Sequence, residues 1–313
     1  MSRYRDNLPQ LAGDLYLADG GVETDLMFNH SIEIRGFAAH TLLPDPAGRE
    51  AMADYFRGFM ALANEYDAGY ILDSQTWKAH MHWAEDLGED EAILHAANEA
   101  SIAFMSGLRD EFSANKRPIV LNAVIGPQGD AYAPEAEVAA EQAEEYHAKQ
   151  LGWLAATDVD MVTALTFTQS DEAIGVVRAA NKVGLPAVVS FTVETDGKLP
   201  TGQPLGEAIC SVDDATDAAA AYFMVNCAHP DHFFHVLDDS DWAHRIHGLR
   251  CNASRLSHAE LDECEVLDDG DPVELGEQYR SLFARMPWLN VFGGCCGSDL
   301  RHMTRIAAAV TDR

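Results

Sequence analysis

Eight short apolar runs alternate with longer stretches of helical periodicity, and no other feature limits the fold of this chain so tightly. The runs are DLYLAD (14–19), YILDSQ (70–75), PIVLNAVIG (118–126), VDMVTALTF (159–167), PAVVSFTV (186–193), AAYFMVNC (220–227), RIHGLRCN (245–252) and LNVFGG (289–294). Between them lie stretches such as REAMADYFRGFMALANEYDAG (49–69), EDEAILHAANEASIAFMSGLRDEF (89–112), APEAEVAAEQAEEYHAKQLGWLAAT (133–157), SDEAIGVVRAANKVG (170–184) and DPVELGEQYRSLFARM (271–286), with apolar residues at three- and four-residue spacing. Strands separated by helices must run parallel, because each helix carries the chain back to the start of the next strand. Eight such units in 313 residues fit a closed (β/α)8 TIM barrel better than an open doubly wound sheet. No linker, composition break or further repeat divides the chain, so one domain is expected over residues 1–313. The segment LSHAELDECEVLDDGDP (256–272) is an acidic excursion after the seventh strand.

A barrel makes a positional prediction, since its active site is built where strands end and loops begin on the carboxyl-terminal face. Asp19 and Cys227 end the first and sixth runs, Asp73 is expected to end the second strand, and Cys295 and Cys296 follow the eighth run.

Charge narrows the partners. Twenty-one basic residues against 51 acidic ones leave a formal charge of −30, which repels phosphate backbones and anionic membrane surfaces. Neither nucleic acid nor membrane is expected as a partner. The opening MSRYRDNLPQ leads into no signal-length apolar run, and nowhere do about 18 apolar residues follow one another. A cytoplasmic protein acting on small molecules is expected. Its oligomeric state has no signature in the sequence.

Six cysteines could form three disulfides, but a chain this long needs no staples, and reduced thiols are the default. The adjacent pair in VFGGCCGSD (291–299) is a poor disulfide, because neighbouring Cα atoms stand about 3.8 Å apart, below the usual minimum of about 4.4 Å. Zinc offers such residues another use. Catalytic zinc takes three protein ligands at thiolate distances of about 2.3 Å and keeps a fourth position open. Cys227, Cys295 and Cys296 supply three sulfurs at the ends of two strands. On a regular strand adjacent side chains face opposite ways, so the pair can share one ion only where the backbone leaves strand geometry. Gly293, Gly294 and Gly297 permit that departure. Cys210, Cys251 and Cys264 read as structural, although Cys251 is expected to end the seventh strand, where it could approach the mouth. His229, His232 and His235 in CAHPDHFFHV are expected on the first turns of a helix started by Pro230, rather than on a second metal. No G-x-S-x-G, H-E-x-x-H, G-x-x-x-x-G-K or G-x-G-x-x-G motif offers a competing chemistry.

VFGGCCGSD, the upstream VNC and LADGGVETDL together resemble the homocysteine S-methyltransferase family, which includes the betaine-dependent enzymes and the homocysteine module of methionine synthase. GFAAHTLLPDP, YDAGYILDSQTW, AVIGPQGDAY, SFTVETDGKLPTGQPLGEAI and VNCAHPDHF fall in the family's order, so the resemblance runs nearly end to end. It implies a zinc-binding barrel that moves a methyl group from a small-molecule donor to a thiol acceptor, homocysteine becoming methionine. By motif match, Cys227, Cys295 and Cys296 would hold Zn2+, while Asp19, Gly20, Gly21 and Asn226 would contact the acceptor.

One departure bears on the substrate. The family commonly carries Glu-Thr after strand four and Glu-Ala several residues on, whereas this chain reads VTALTFTQSDEA; aligning Glu172 and Ala173 places Leu165 at the acidic position. In the family that carboxylate helps hold the amino group of homocysteine. Here Asp171, Glu172, Glu194 or Glu23 must substitute, or the acceptor is a different thiol without that ammonium. Two further readings use the same cluster: a zinc-dependent hydrolase or lyase, which three thiolates disfavour, and a non-catalytic thiol- or metal-binding protein.

Overall fold

The computed structural model describes residues 2–131, 137–264 and 266–311. Its eight strands are β1 (Tyr16–Leu17), β2 (Gly69–Asp73), β3 (Ile119–Ile125), β4 (Met161–Phe167), β5 (Ala187–Phe191), β6 (Phe223–Asn226), β7 (Ile246–Cys251) and β8 (Val291–Gly294). They pair in sequence order, all parallel, and β8 closes on β1. All eight expected runs are strands, shortened by one to four residues at their ends. The following helices are α1 (Pro46–Glu65), α2 (Glu91–Glu111), α3 (Ala140–Ala155), α4 (Ser170–Lys182), α5 (Leu205–Thr216), the short α6 (Pro230–Phe233), α7 (Pro272–Arg285) and α8 (Leu300–Thr311). Three starts show their local cause: Asp45, Asp90 and Asp271 each accept backbone N–H bonds from the first turns of α1, α2 and α7. Helix α3 begins later than periodicity predicts, at Ala140, and residues 133–136 of that expectation lie outside the described residues. Among the described residues no helix is long and apolar enough to cross a membrane.

Strand alternation sorts the barrel interior into layers. Tyr16, Ile71, Val120, Met161, Val188, Met224 and Val291 form a buried apolar floor, closed below by Leu8 of the amino-terminal segment. Two residues further along five of these strands stand Asp73, Asn122, Thr163, Ser190 and Asn226, joined by Arg250 of β7, which pairs with Asn226, all buried and all polar. The opposite strand faces pack against the helices in one large apolar core containing Leu72, Leu121, Val162, Val189, Val225 and Leu249. A polar layer laid over an apolar floor, just below the carboxyl-terminal mouth, is the platform for a site.

Close helix packing depends on Gly175 in α4. A Cβ there would lie 2.5 Å from Ala143 Cβ and 2.5 Å from the Glu144 nitrogen of α3. Gly175→Ala should therefore lose about 1–3 kcal/mol by overpacking, despite a gain of about 1 kcal/mol in helix propensity. Urea unfolding checks this, and an unchanged or higher midpoint would contradict the packing argument.

Candidate metal centre and substrate pocket

The last two residues of β7 bring together cysteines 68 positions apart. Cys227 donates its N–H to the Arg250 carbonyl at 3.1 Å, and Cys295 donates to the Cys251 carbonyl at 2.9 Å. Neighbouring carbonyls of the intervening strand thus draw the ends of β6 and β8 over it. Cys227 leaves strand geometry with φ at +51°, a conformation rare for a residue with a side chain. Its carbonyl is held from the other side by Asn252 Nδ2 at 3.0 Å and His258 Nε2 at 2.8 Å. After β8 the chain turns through Gly297, at φ +78°, while the Ser298 N–H and hydroxyl both donate to the Cys295 carbonyl. Gly294 is required for close approach, since a Cβ there would strike the Ser298 side chain.

The result is three sulfurs, from Cys227, Cys295 and Cys296, all within 4.8 Å of one another. Among the described residues no other set of cysteine, histidine and carboxylate side chains meets so closely. Cys227 and Cys295 form a disulfide, their Cα atoms 5.4 Å apart, inside the range that bridges require. The expectation of reduced thiols therefore does not hold for this pair, because two residues remote in sequence stand at bridging distance in space. When reduced, the trio fits zinc: an all-sulfur soft donor set, converging from one side, with tetrahedral edges of roughly 3.8 Å for bonds of about 2.3 Å.

The trio lines a cavity of about 520 Å3 over the barrel mouth. Phe56, Trp77, Val124 and Leu165 contribute apolar wall, and Asp19, Gly20 and Gly21 line it as expected. Asn226 lies below the wall instead. Its Oδ1 accepts from the Ser190 hydroxyl at 2.6 Å and the Thr166 N–H at 2.9 Å, and its Nδ2 donates to Thr166 Oγ1 at 2.8 Å and to Cys295 Sγ at 3.9 Å. It supports the Cys295 sulfur rather than lining the pocket. Thr166 adopts φ +67° at a bulge between β4 and β5, which leaves Leu165 on the pocket wall and its carbonyl bonded to Trp77 Nε1 at 2.9 Å.

Arg250 was not among the residues expected at the site. Its guanidinium ion-pairs with both Asp19 and Asp73, and its Nε donates to the Gly294 carbonyl at 3.1 Å. Asn122 Nδ2 donates to the other oxygen of Asp73 at 2.7 Å, so the polar layer is continuous from β7 to β3. Burial pushes the Asp19 carboxyl up to about 7, with Arg250 opposing and Asp73 reinforcing the rise. The signal available in the sequence was one charged residue at an inward position of RIHGLRCN.

The four carboxylates named as substitutes for Leu165 now separate. Asp171 is exposed on α4. Glu172 is fully buried, accepting from the Gln128 N–H at 2.5 Å and meeting His147 Nε2 at 2.9 Å. Glu194 meets His258 Nδ1 at 3.0 Å. Only Glu23 of the four lines the pocket. The remaining expectations fall into place nearby. Cys251 is fully buried beside Tyr279 and does not reach the mouth, and burial pushes its thiol up to about 12. Pro230 starts α6 as expected, with His229 capping it and His232 within it, both buried, and His232 Nε2 meets the Arg255 carbonyl at 2.9 Å, whereas His235 falls beyond this short helix on a separate 3-10 turn, Phe234–Val236. The acidic excursion carries a short capped helix, His258–Asp262, and contributes Leu261, Asp262, Val266, Leu267 and Asp268 to the pocket rim.

Burial also pushes the Glu23 carboxyl up, to about 7, against hydrogen bonding to its own backbone N–H, the charges of Lys78 and Arg250, and the Ala39 backbone N–H. The folded state then keeps a proton that the unfolded chain releases near its ordinary value of 4.5. Stability contributed by the neutral acid is complete below that value and is lost as pH rises towards 7. Glu23→Gln should therefore gain stability relative to the parent chain as pH rises from 4 to 8. Thermal unfolding across this range measures the trend, and a difference independent of pH would contradict it.

Comparison with known proteins follows the geometry. The profile of the homocysteine S-methyltransferase family matches residues 16–310. No curated protein matches the chain. Among solved structures, the homocysteine methyltransferase MmuM from Escherichia coli is similar in its oxidized form, with TM-score 0.72 and 18% identity over 94% of this chain and 96% of that one. Its metallated form gives TM-score 0.72 and 17% identity over 96% and 99%. At these identities the likeness establishes the barrel. With the profile covering all eight strands, this chain belongs to the homocysteine S-methyltransferase family.

Proposed function

We propose that this protein, as one barrel spanning the chain, is a zinc-dependent methyltransferase whose acceptor is homocysteine. The observation that carries the reading is the meeting of Cys227, Cys295 and Cys296 on the wall of a substrate-sized cavity. Cys227, Cys295 and Cys296 would hold the ion in their reduced state. When bound, zinc supplies a Lewis acid that lowers the pKa of an acceptor thiol, ordinarily about 8.5, so that the nucleophilic thiolate is available at neutral pH.

The protein's own residues do the rest by position. The walls of Phe56, Trp77, Val124 and Leu165 exclude water from the sulfur end. Asn226 and the Ser298 turn fix Cys295, while Asn252 and His258 fix the backbone of Cys227. Acidic rim residues Asp262 and Asp268 favour approach of a positively charged methyl donor. Transfer requires the acceptor sulfur to form a bond to the methyl carbon as the bond to the donor heteroatom breaks, with that electron pair leaving on the donor. Hydrolytic zinc sites commonly use histidine and carboxylate ligands, and a cluster of three cysteines disfavours that alternative.

Reduced protein should bind about one zinc per chain, and Cys295→Ala should lose most of it while keeping the fold by circular dichroism. Incubation of the zinc-loaded protein with homocysteine and a panel of onium methyl donors should yield methionine by mass spectrometry; none from any donor, with zinc bound, contradicts the proposal.

Alkylation at neutral pH offers a check that does not depend on turnover. With zinc bound, exposed Cys264 should react first and Cys210 more slowly, its thiol being raised by burial and by Asp214 and Asp213, while Cys251 stays unmodified. After chelation under reducing conditions, Cys227, Cys295 and Cys296 should join the reactive set.

A further inference from the structure

Six carboxylates line the pocket, among them Asp19, Glu23 and Asp73, whose partners differ. Asp19 and Asp73 are both committed to Arg250, whose remaining contacts are the Gly294, Asp19 and Gly20 carbonyls. Glu23 has no ion-pair partner among the described residues. The nearest cation on its side, Lys78, donates to the Gly36 carbonyl at 3.0 Å and lies 4.0 Å from the Trp83 ring centre. Lys78 and Arg250 act on Glu23 through their charge without an ion-pair contact, and its other partners are the neutral backbone N–H groups of Glu23 and Ala39. A partly buried carboxylate facing a cavity without a counter-charge is costly, and its natural complement is a cation brought by a ligand.

Position says which ligand. Glu23 lies on a segment tied at both sides to the cysteine turn: a Cβ on Gly21 would stand 2.7 Å from the Cys295 carbonyl oxygen, and Thr24 Oγ1 accepts from the Gly297 N–H at 3.1 Å. Any thiol whose sulfur reaches the cysteine trio must carry its other groups within a few bonds of this segment. The wall at Leu165 offers them no charge. Rim carboxylates such as Asp268, which accepts from the Ser254 hydroxyl at 2.5 Å, belong to the outer loops.

We propose that Glu23 is the specificity-determining carboxylate that binds the ammonium group of the thiol acceptor, supplying from the first βα loop the charge that Leu165 cannot supply from the fourth strand. This rests on the thiol-acceptor reading above and assigns the acceptor to the class of amino thiols. Glu23 touches the acceptor's ammonium, away from the reacting sulfur, so it acts on binding before it acts on rate.

Calorimetry on the reduced, zinc-loaded full chain tests it, using homocysteine and its desamino analogue 4-mercaptobutanoate as probes. The parent protein should bind homocysteine about tenfold or more tightly than the analogue. Glu23→Gln should erase that preference, weakening homocysteine and leaving 4-mercaptobutanoate unchanged, and Glu23→Asp should restore part of it. In turnover, Glu23→Gln should raise KM for homocysteine with little change in kcat. The assignment is overturned if the parent protein binds both thiols equally, if Glu23→Gln keeps the preference, if it weakens both thiols alike, or if it raises only the KM of the methyl donor. Failure of both thiols to bind the zinc-loaded protein overturns the thiol-acceptor reading itself, a result separable from every outcome that concerns Glu23 alone.

Discussion

One buried guanidinium organises the catalytic end of this barrel. Arg250 reaches from β7 across the interior to carboxylates following β1 and ending β2, and bonds the last carbonyl of β8. Two carboxylates and one guanidinium in a water-poor layer are tolerable only because each charge has an opposite neighbour; removing the cation would cost about 3–5 kcal/mol by leaving acids unpaired. The arrangement also sets the function of its members. Asp19 and Asp73 face the pocket but spend their charge inward, so the site's capacity to bind a ligand cation shifts to Glu23.

The sulfur trio depends on the same strand by a different route. The backbone carbonyls of Arg250 and Cys251 receive the N–H groups of Cys227 and Cys295, which fixes two chain ends that are distant in sequence. Cys227 then adopts a left-handed backbone that would be unfavourable for an isolated residue, and Asn252 and His258 hold it there. Asn226 joins the polar layer below to the sulfur of Cys295 above. Cysteine cluster and ion-pair layer are therefore adjacent floors of one construction, and both line the same pocket.

Much of this was legible without coordinates, and particular residues show why. Strand runs such as VDMVTALTF and PAVVSFTV carry their identity locally, in β-branched content bounded by turns, and each became a strand within a few residues of its expected ends. The cysteine pair declared itself because glycines flank it and a strand precedes it. Arg250 was missed because a charged residue in a strand gives no local sign of which acids it will meet, and Asp19 and Asp73 lie 231 and 177 positions away. The competing roles of Glu23, Asp171, Glu172 and Glu194 were equally indistinguishable, since all four are carboxylates near loop boundaries. Burial beside His147, pairing with His258 and exposure on α4 removed three of them.

Sequence alone determined the alternation of strands and helices, the parallel barrel and the three candidate sulfur ligands, because periodicity and glycine-flanked cysteines are properties of neighbouring residues. The tertiary structure decided which carboxylates face the ligand, that Asn226 supports a sulfur instead of lining the wall, and that the acidic segment after β7 forms the rim. Those outcomes depend on the closure of β8 against β1, which sets residues from both ends of the chain around one small volume where unpaired charge is expensive. No local pattern contains that proximity.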